Sequence, residues 1–301
     1  MKIFVTGATG FVGSAVVQEL LKAGHTVLGL ARSEASAQKL KAAGAEAHLG
    51  DLNDLESIKA GVRAADGVIH LGFIHDFTRF PEVCAIDKTV IETMGGELIG
   101  TDKPFIVTSG TAVAANNDVL TEAGRIHSFT NPRTATELAV DAVAAKGVRV
   151  AVVRLSPSVH GDEDRHGFVP MLRNIAKEKG KAAIINEGTN VWPAVHRLDA
   201  AKLYRLAIEA PFTAGTRFHA VGEEGVPMKD IAGAIAKKLN VPLVSLTPEE
   251  AAGYFAWFTH FASLNNPASS VVTQATLGWE PVHPGLLEDL HGDVYFGQDS
   301  E

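Results

Sequence analysis

The stretch IFVTGATGFVGSAVVQELL, which runs from Ile3 to Leu21, decides the fold. A short apolar run typical of a buried strand leads into a glycine-rich turn, and apolar residues at helical spacing follow it. Glycines spaced in this way between a strand and a helix are typical of a turn that binds a dinucleotide, although such a turn can also occur without a ligand. Gly7 permits the tight turn, Gly10 lets the backbone approach a pyrophosphate, and Gly13 lets helix and strand pack closely, with the helix N-terminus facing the phosphates. The predicted contacts in this turn are Gly7, Thr9, Gly10, Phe11, Val12 and Gly13.

The second strand indicates which dinucleotide is bound. HTVLGLARS ends in Ala31, Arg32 and Ser33, whereas an NAD site usually places a carboxylate here for the ribose 2′-hydroxyl. Arg32 could pair with a 2′-phosphate, assisted by Ser33, or could be a solvated surface arginine. We therefore predict NADP(H) in preference to NAD(H), with Asp51 and Leu52 bordering the adenine.

Short apolar runs alternate with helical patterns over the first half of the chain. This rhythm predicts an α/β Rossmann fold, with a doubly wound parallel sheet and helices on both faces. Four runs are continuously apolar, which predicts interior strands at Ile3–Val5, Val68–Leu71, Phe105–Val107 and Val150–Val153. Further helices are predicted at Glu137–Ala145, Phe168–Lys179, Ala200–Glu209, Lys229–Leu239 and Pro248–Phe258.

The pattern loosens beyond Arg154 into stretches punctuated by proline and glycine. We predict a dinucleotide-binding domain over residues 1–155. Residues 156–301 are expected to form mainly a smaller C-terminal substrate-binding lobe, with some segments returning to the Rossmann sheet.

Composition excludes several function classes. The 301 residues carry 27 basic and 35 acidic side chains, a formal charge of −8, so nucleic acid is not an expected partner. Cys84 is the only cysteine, which excludes an intramolecular disulfide and fits a reducing cytoplasm. No signal segment or bilayer-spanning run is apparent, so a cytoplasmic protein without membrane attachment is expected.

Several separate motifs resemble the extended short-chain dehydrogenase/reductase family, also called the NAD-dependent epimerase/dehydratase family. They are TGATGFVG (Thr6–Gly13), GDLND (Gly50–Asp54), HLG (His70–Gly72), RLSPSVHG (Arg154–Gly161) and VHRLDAA (Val195–Ala201). By this resemblance the coenzyme is also contacted by Leu71, Gly72, Ser156 and Ser158.

The resemblance implies catalysis by a Ser/Thr, a Tyr and a Lys, the last two spaced Y-x-x-x-K, but this chain departs from that pattern. VTSGTAV (Val107–Val113) places glycine where the serine commonly lies, between Ser109 and Thr111; either hydroxyl could polarise a carbonyl or merely satisfy the turn. NPRTATELAV places Arg133 at the tyrosine and Glu137 at the lysine, whereas a shifted alignment places Phe129 and Arg133 there. Both alignments lose the tyrosine, which indicates an atypical branch.

Arginine stays protonated, so Arg133 is expected to hold a carbonyl, an enolate or a phosphate and to contact the coenzyme, rather than to donate a proton. Ser109 is also expected to contact the coenzyme. His160, His196 or water could supply the proton, although the two histidines could instead be structural residues beneath loops. No metal site is predicted. The aromatic residues of the second half form either a wall over the substrate or ordinary core: Trp192, Phe255, Trp257, Phe258 and Phe261.

The sequence thus favours an NADP(H)-dependent oxidoreductase of atypical active site that transfers hydride to or from a small carbonyl or alcohol. Two alternatives stay open: an NADP(H)-sensing regulatory protein with reduced catalysis, and an epimerase or isomerase with transient hydride transfer. The resemblance also implies a homodimer, formed through helices near Ile86–Ile99 and Glu137–Ala145.

Overall fold

The computed structural model describes residues 1–115, 118–126 and 131–297. Its strands are, in chain order, β1 (Lys2–Thr6), β2 (Thr26–Ala31), β3 (Glu46–Leu49), β4 (Gly67–His70), β5 (Phe105–Gly110), β6 (Val150–Leu155), β7 (Ser158–His160), β8 (Ala182–Ile185), β9 (Val191–His196), β10 (Thr216–Ala220), β11 (Glu223–Pro227) and β12 (Leu243–Leu246). Its helices are α1 (Phe11–Lys22), α2 (Glu34–Ala42), α3 (Leu55–Arg63), α4 (Phe80–Leu98), α5 (Thr134–Ala144), α6 (Phe168–Lys179), α7 (Arg197–Glu209), α8 (Met228–Leu239), α9 (Pro248–Phe255), α10 (Thr259–Ala262), α11 (Val271–Leu277) and α12 (Leu286–His291).

The central sheet has seven strands in the order β3-β2-β1-β4-β5-β6-β10. Every neighbouring pair in it is parallel. The four strands predicted to be interior, β1, β4, β5 and β6, each lie between two others, so the doubly wound α/β prediction is confirmed. The order reverses between β1 and β4, which is where ligands of open α/β sheets bind.

Both faces of the sheet are covered because successive side chains of a strand point to opposite faces. Ile3 and Val5 pack with Val16 and Leu20 of α1 and with Leu203 of α7 in one core. The intervening Phe4 belongs to the opposite core, which α3, α4 and α5 complete. Two helical layers therefore enclose the sheet.

A third core lies outside this sheet and is built from α6, β8, β9, α8, α9 and α12. Two small sheets frame it, β11-β9-β7 and the parallel pair β12-β8. A capping box between Thr247 and Glu250 starts α9, which ends at Phe255, and a single 3-10 turn continues over Ala256–Phe258. Trp192, Phe255 and Phe258 are buried in this core, whereas Trp257 is exposed.

Candidate active site

The turn between β1 and α1 needs glycine for steric reasons. Gly7 has φ +66°, and a Cβ there would lie 2.8 Å from the amide nitrogen of Gly72. A Cβ on Gly13 would lie 2.0 Å from the carbonyl oxygen of Gly7. The first of these glycines allows contact with the end of β4, and the second allows α1 to begin directly against the turn.

The N-terminus of α1 presents donors to the exterior. Its N-cap, Gly10, is exposed and extended, and no side chain caps the helix. The first-turn amides of Phe11 and Val12 have no partner within the helix, and the turn has no acidic residue. Thr9 is exposed beside them. An uncapped helix terminus behind a glycine turn fits a bound diphosphate.

Arg32 follows β2 at the adenosine side of this turn. It is exposed and forms no hydrogen bond or ion pair with any described residue. The neighbouring Ser33 caps α2 by accepting from the amide of Ser36 at 3.2 Å. Asp51 lies after β3 and accepts from Asn53, and Leu52 is buried behind it. The free guanidinium is thus the group here that fits a 2′-phosphate.

Sequence reasoning missed a second arginine beside the turn. The Arg197 guanidinium lies 4.9 Å from the centre of the Phe11 ring, and its Nη2 donates to the Ser14 hydroxyl at 3.3 Å. Its Nε is buried without a hydrogen-bond partner among the described residues. The VHRLDAA motif contains Arg197, but its proximity to α1 depends on α7 packing against α1.

A buried chain of hydrogen bonds starts at the end of β4. The Thr6 hydroxyl accepts from the amide of Gly72 at 3.0 Å and lies 2.7 Å from Nδ1 of His70. His70 Nε2 lies 3.1 Å from the carboxylate of Asp87 on α4. The set is satisfied when Thr6 donates to Nδ1 and His70 donates from Nε2. These hydrogen bonds join the glycine turn after β1 to the HLG segment, which includes Leu71, and to α4 at the carboxyl ends of the strands.

Arg133 ends this chain at the start of α5. Its Nη1 donates to Asp87 at 2.6 Å and to the Thr136 hydroxyl at 2.7 Å, and its Nη2 donates to the Thr108 carbonyl at 3.3 Å. Burial acts to raise the pKa of Asp87, but the charge of Arg133 and the hydrogen bonds from His70 and Thr136 outweigh it and lower the pKa to about 2. The Nε–H and one Nη2 proton of Arg133 have no partner among the described residues.

The position aligned with the lysine is closed to the cleft. Glu137 is fully buried and accepts from Arg154 at 2.6 and 2.7 Å and from Arg217 at 3.3 Å. The Ser109 hydroxyl donates to the same carboxylate at 3.2 Å. The Thr111 hydroxyl, also buried, donates to Asn266 at 2.7 Å. The hydroxyls of Ser109 and Thr111, predicted to polarise a carbonyl, therefore donate their protons to other residues of the protein and not to a substrate.

The remaining predicted residues lie further along the chain. The Ser156 hydroxyl donates to the Ala220 carbonyl at 2.8 Å, and the Ser158 hydroxyl is buried without a hydrogen-bond partner in the described chain. Phe129, the alternative tyrosine position, lies outside the described residues.

His160 and His196 come together in a separate cluster. Their rings lie edge-on at 5.5 Å, and Nδ1 of His160 lies 2.6 Å from the carboxylate of Asp289. His196 stacks on His283 at 4.8 Å and accepts from the amide of Leu198, which caps α7. Burial, and then the charge of His160, lower the pKa of His196. Within the described residues, no hydrogen bond or ring contact joins this cluster to Arg133.

His75 is a histidine that sequence reasoning did not single out. Its ring lies edge-on to Phe73 at 5.3 Å, and Phe73 has the Arg133 guanidinium 3.9 Å above its ring. Burial, and then the charge of Arg133, lower the pKa of His75, although the side chain is exposed to solvent. His75 therefore lies at the surface beside Phe73 and Arg133. Only the fold reveals it, because His75 lies in an irregular segment after β4.

A family model described as the NAD dependent epimerase/dehydratase family matches residues 3–220. The chain belongs to this family. It is therefore an enzyme of the oxidoreductase and epimerase kind, which uses a nicotinamide coenzyme, and the resemblance carried by the sequence motifs is confirmed.

Similar proteins span most of the chain. An uncharacterized protein of Schizosaccharomyces pombe is 50% identical over 98% of this chain and 100% of its own length. The 2-alkyl-3-oxoalkanoate reductase of Stenotrophomonas maltophilia is 26% identical over 81% of this chain and 77% of its own.

Among solved structures, a UDP-glucose 4-epimerase from Thermotoga maritima aligns over 100% of both chains, with a TM-score of 0.77 and 20% identity. A UDP-glucuronic acid 4-epimerase from Bacillus cereus, solved with UDP-glucuronic acid and NAD, aligns over 99% of both chains, with a TM-score of 0.75 and 17% identity. At these identities the likeness shows the fold.

Across the described parts of the chain, each helix falls short of the length or the apolar character that crossing a bilayer requires.

Proposed function

We propose that this enzyme reduces a small carbonyl compound with NADPH, or oxidises the corresponding alcohol with NADP⁺. The observation that carries the proposal is the pairing of an uncapped glycine turn with Arg133, whose guanidinium keeps two donors free in the described structure. The turn supplies amides for a diphosphate, and the arginine supplies donors for an oxygen that gains negative charge. The C-terminal lobe would complete the substrate site.

The preference for NADP(H) rests on Arg32. It is exposed, unpaired within the described chain and placed at the end of β2, where a guanidinium meets a ribose 2′-phosphate. Its planar fork allows two parallel hydrogen bonds to a phosphate. Ser33 contributes less, since its hydroxyl already caps α2.

The amides of the glycine turn would hold NADPH, which would supply a hydride to the carbonyl carbon, and the carbonyl oxygen would then gain the negative charge. Arg133 stabilises that oxygen through its free Nε–H and Nη2 donors. The guanidinium is held in one orientation by Asp87 and Thr136, which both accept from it. His70 in turn holds Asp87. Arg133 acts as an electrostatic clamp and keeps its own protons throughout.

His75 is the proton source in this proposal. The alkoxide must gain a proton to become an alcohol, and a protonated imidazole is suited to give it. His75 is edge-on to Phe73, and the Arg133 guanidinium lies over the face of the same ring. His160 is bound to Asp289, and His196 caps α7, so both already have structural roles.

The test measures NADPH consumption with a panel of small ketones and aldehydes. Arg133→Met should lower kcat by about 100- to 1000-fold, the usual effect of losing one oxyanion donor, while NADPH binding is retained. Because this change strands a buried Asp87, the double variant Arg133→Met/Asp87→Asn separates catalysis from folding. Arg63→Met, an exposed arginine paired with Glu97, is the matched control and should leave kcat unchanged.

A regulatory role is the second candidate. Internal hydrogen bonds favour it. Glu137, Ser109 and Thr111 lie at or beside the positions that the family uses for chemistry, and here all three are bonded within the protein. Tight NADPH binding without consumption of any carbonyl in the panel would support this reading and reject the reductase.

A further inference from the structure

A row of aromatic side chains crosses from the segment after β4 to the C-terminal lobe. It comprises Phe73, His75, Phe77, Trp257 and Phe261, and we call it the aromatic row. Phe77 stacks on Trp257 with ring centres 4.9 Å apart and planes 23° from parallel. Phe77 also meets Phe261 edge-on at 6.2 Å. The row is therefore continuous between the two halves of the molecule.

The aromatic row ends at the proposed reaction centre. Phe73 lies edge-on to His75 at 5.3 Å and carries the Arg133 guanidinium at 3.9 Å. Within the described chain, Arg133 is the cation whose charge lies over a ring of this row. Polar recognition is thus concentrated at one end, and ring faces and edges make up the rest.

Trp257 is exposed although Phe255 and Phe258 in the same segment are buried in the core. It is 52% exposed, whereas Trp192 and Trp279 are 0% and 1% exposed. The preceding residue, Ala256, has φ +50° and ψ −126°, a conformation that residues with a Cβ rarely adopt. Because Trp257 is continuous with the other rings of the row through Phe77, its exposed surface is part of a larger aromatic patch, and such patches mark binding sites.

We propose that the aromatic row makes this enzyme a reductase of aromatic carbonyl compounds, with the ring of the substrate against the exposed part of Trp257 and the edge of Phe77, and its carbonyl at Arg133. The Phe77 ring itself is stacked with Trp257 and Phe80, so its edge is the part open to a ligand. The proposal rests on the proposed function and names its substrate class. A flat apolar ring satisfies a wall of aromatic edges and faces, whereas a sugar would leave its hydroxyls without partners along it. The distribution of polarity along the row matches a molecule with one polar end.

The experiment is a fluorescence titration that does not depend on turnover. Acetophenone is titrated into the full-length protein saturated with NADP⁺, and its saturated counterpart, cyclohexyl methyl ketone, and UDP-glucose are titrated in parallel. Acetophenone should change tryptophan emission saturably, because Trp257 is the exposed tryptophan. Its affinity should exceed that of cyclohexyl methyl ketone by roughly 2- to 10-fold, the usual gain from an aromatic pair.

Three variants assign the signal. Trp257→Leu should remove the emission change and weaken binding measured by calorimetry, and Trp257→Phe should restore most of the affinity. Phe77→Leu should weaken binding while the fluorophore remains. The control, Phe212→Leu, removes a ring that packs on Phe218 and touches no member of the row, so it should change neither quantity.

The outcomes separate this inference from the proposed function. Saturable acetophenone binding without NADPH consumption would uphold the aromatic site and reject the reductase. Turnover of aliphatic carbonyls, with equal affinity for both ketones, would uphold the reductase and overturn the aromatic site. Tighter binding of UDP-glucose would also overturn it. So would Trp257 emission that changes with protein concentration alone, since the row would then be a contact between two copies.

Discussion

The buried carboxylate of Asp87 offers a quantitative test of the hydrogen-bond chain that positions Arg133. Its pKa falls from 3.8 to about 2 on folding, because Arg133, His70 and Thr136 together outweigh the effect of burial. At about 1.4 kcal/mol for each tenfold change in proton affinity, this carboxylate stabilises the folded state by about 2 kcal/mol at neutral pH. For a chain of this length, that corresponds to a change in Tm of about 4 °C.

The sign of the pH dependence follows from the lowered pKa. The stabilisation is complete above the unfolded-state value of 3.8 and is lost as pH falls through about 2. By pH 3 about half of it, roughly 1 kcal/mol, should be gone. The variant Asp87→Asn cannot titrate, so the difference in unfolding free energy between it and the unmodified protein should shrink by this amount between pH 6 and pH 3.

Urea unfolding at several pH values measures this difference. The exposed carboxylate Glu56, paired with Lys59 on the surface of α3, provides the control variant Glu56→Gln, which should stay within about 0.5 kcal/mol of the unmodified protein. A difference for Asp87→Asn that is the same at pH 6 and pH 3 would refute the reasoning, because it would mean that the charge of Asp87 contributes nothing to folding.

Three further substitutions test other parts of the site. Arg32→Ala should weaken NADPH binding at least tenfold, the usual worth of a charge-assisted hydrogen bond, and leave NADH binding nearly unchanged, as calorimetry would show; equal losses for both coenzymes would reject the phosphate contact. Gly13→Val should destabilise the protein by several kcal/mol in thermal unfolding and abolish coenzyme binding, because its Cβ would lie 2.0 Å from the Gly7 carbonyl oxygen. The control Gly96→Ala has open space around the new Cβ and should be neutral or slightly stabilising. The rate of carbonyl reduction should fall as pH rises through a value below 6.5, because the pKa of the proton donor His75 is lowered. His75→Gln should remove that dependence from the pH–rate profile. A profile unchanged in this variant would exclude His75 as the donor.

The elements that a local sequence pattern specifies were the most predictable. Continuous apolar runs predicted the interior strands, because a strand covered by helices on both faces has no polar side. The helix Phe168–Lys179 was predicted with the bounds that the structure has. The glycine spacing predicted the turn, since the clash that Gly13 avoids, with the carbonyl oxygen of Gly7, is local.

The active site depended on contacts that no local pattern encodes. Glu137 meets Arg154 from 17 residues away and Arg217 from 80 residues away, so a position aligned with a catalytic lysine became a buried ion pair. His75 acquires its place from the irregular segment after β4, which carries neither helical nor strand periodicity. Charge pairing and loop placement are set by the assembled fold.

Calorimetric titration of NADPH into the folded, unmodified protein tests most directly whether the amides at the start of α1 bind a dinucleotide. We expect a saturable heat for one site per chain, with NADH binding more weakly. The absence of heat from both reduced coenzymes would contradict the account.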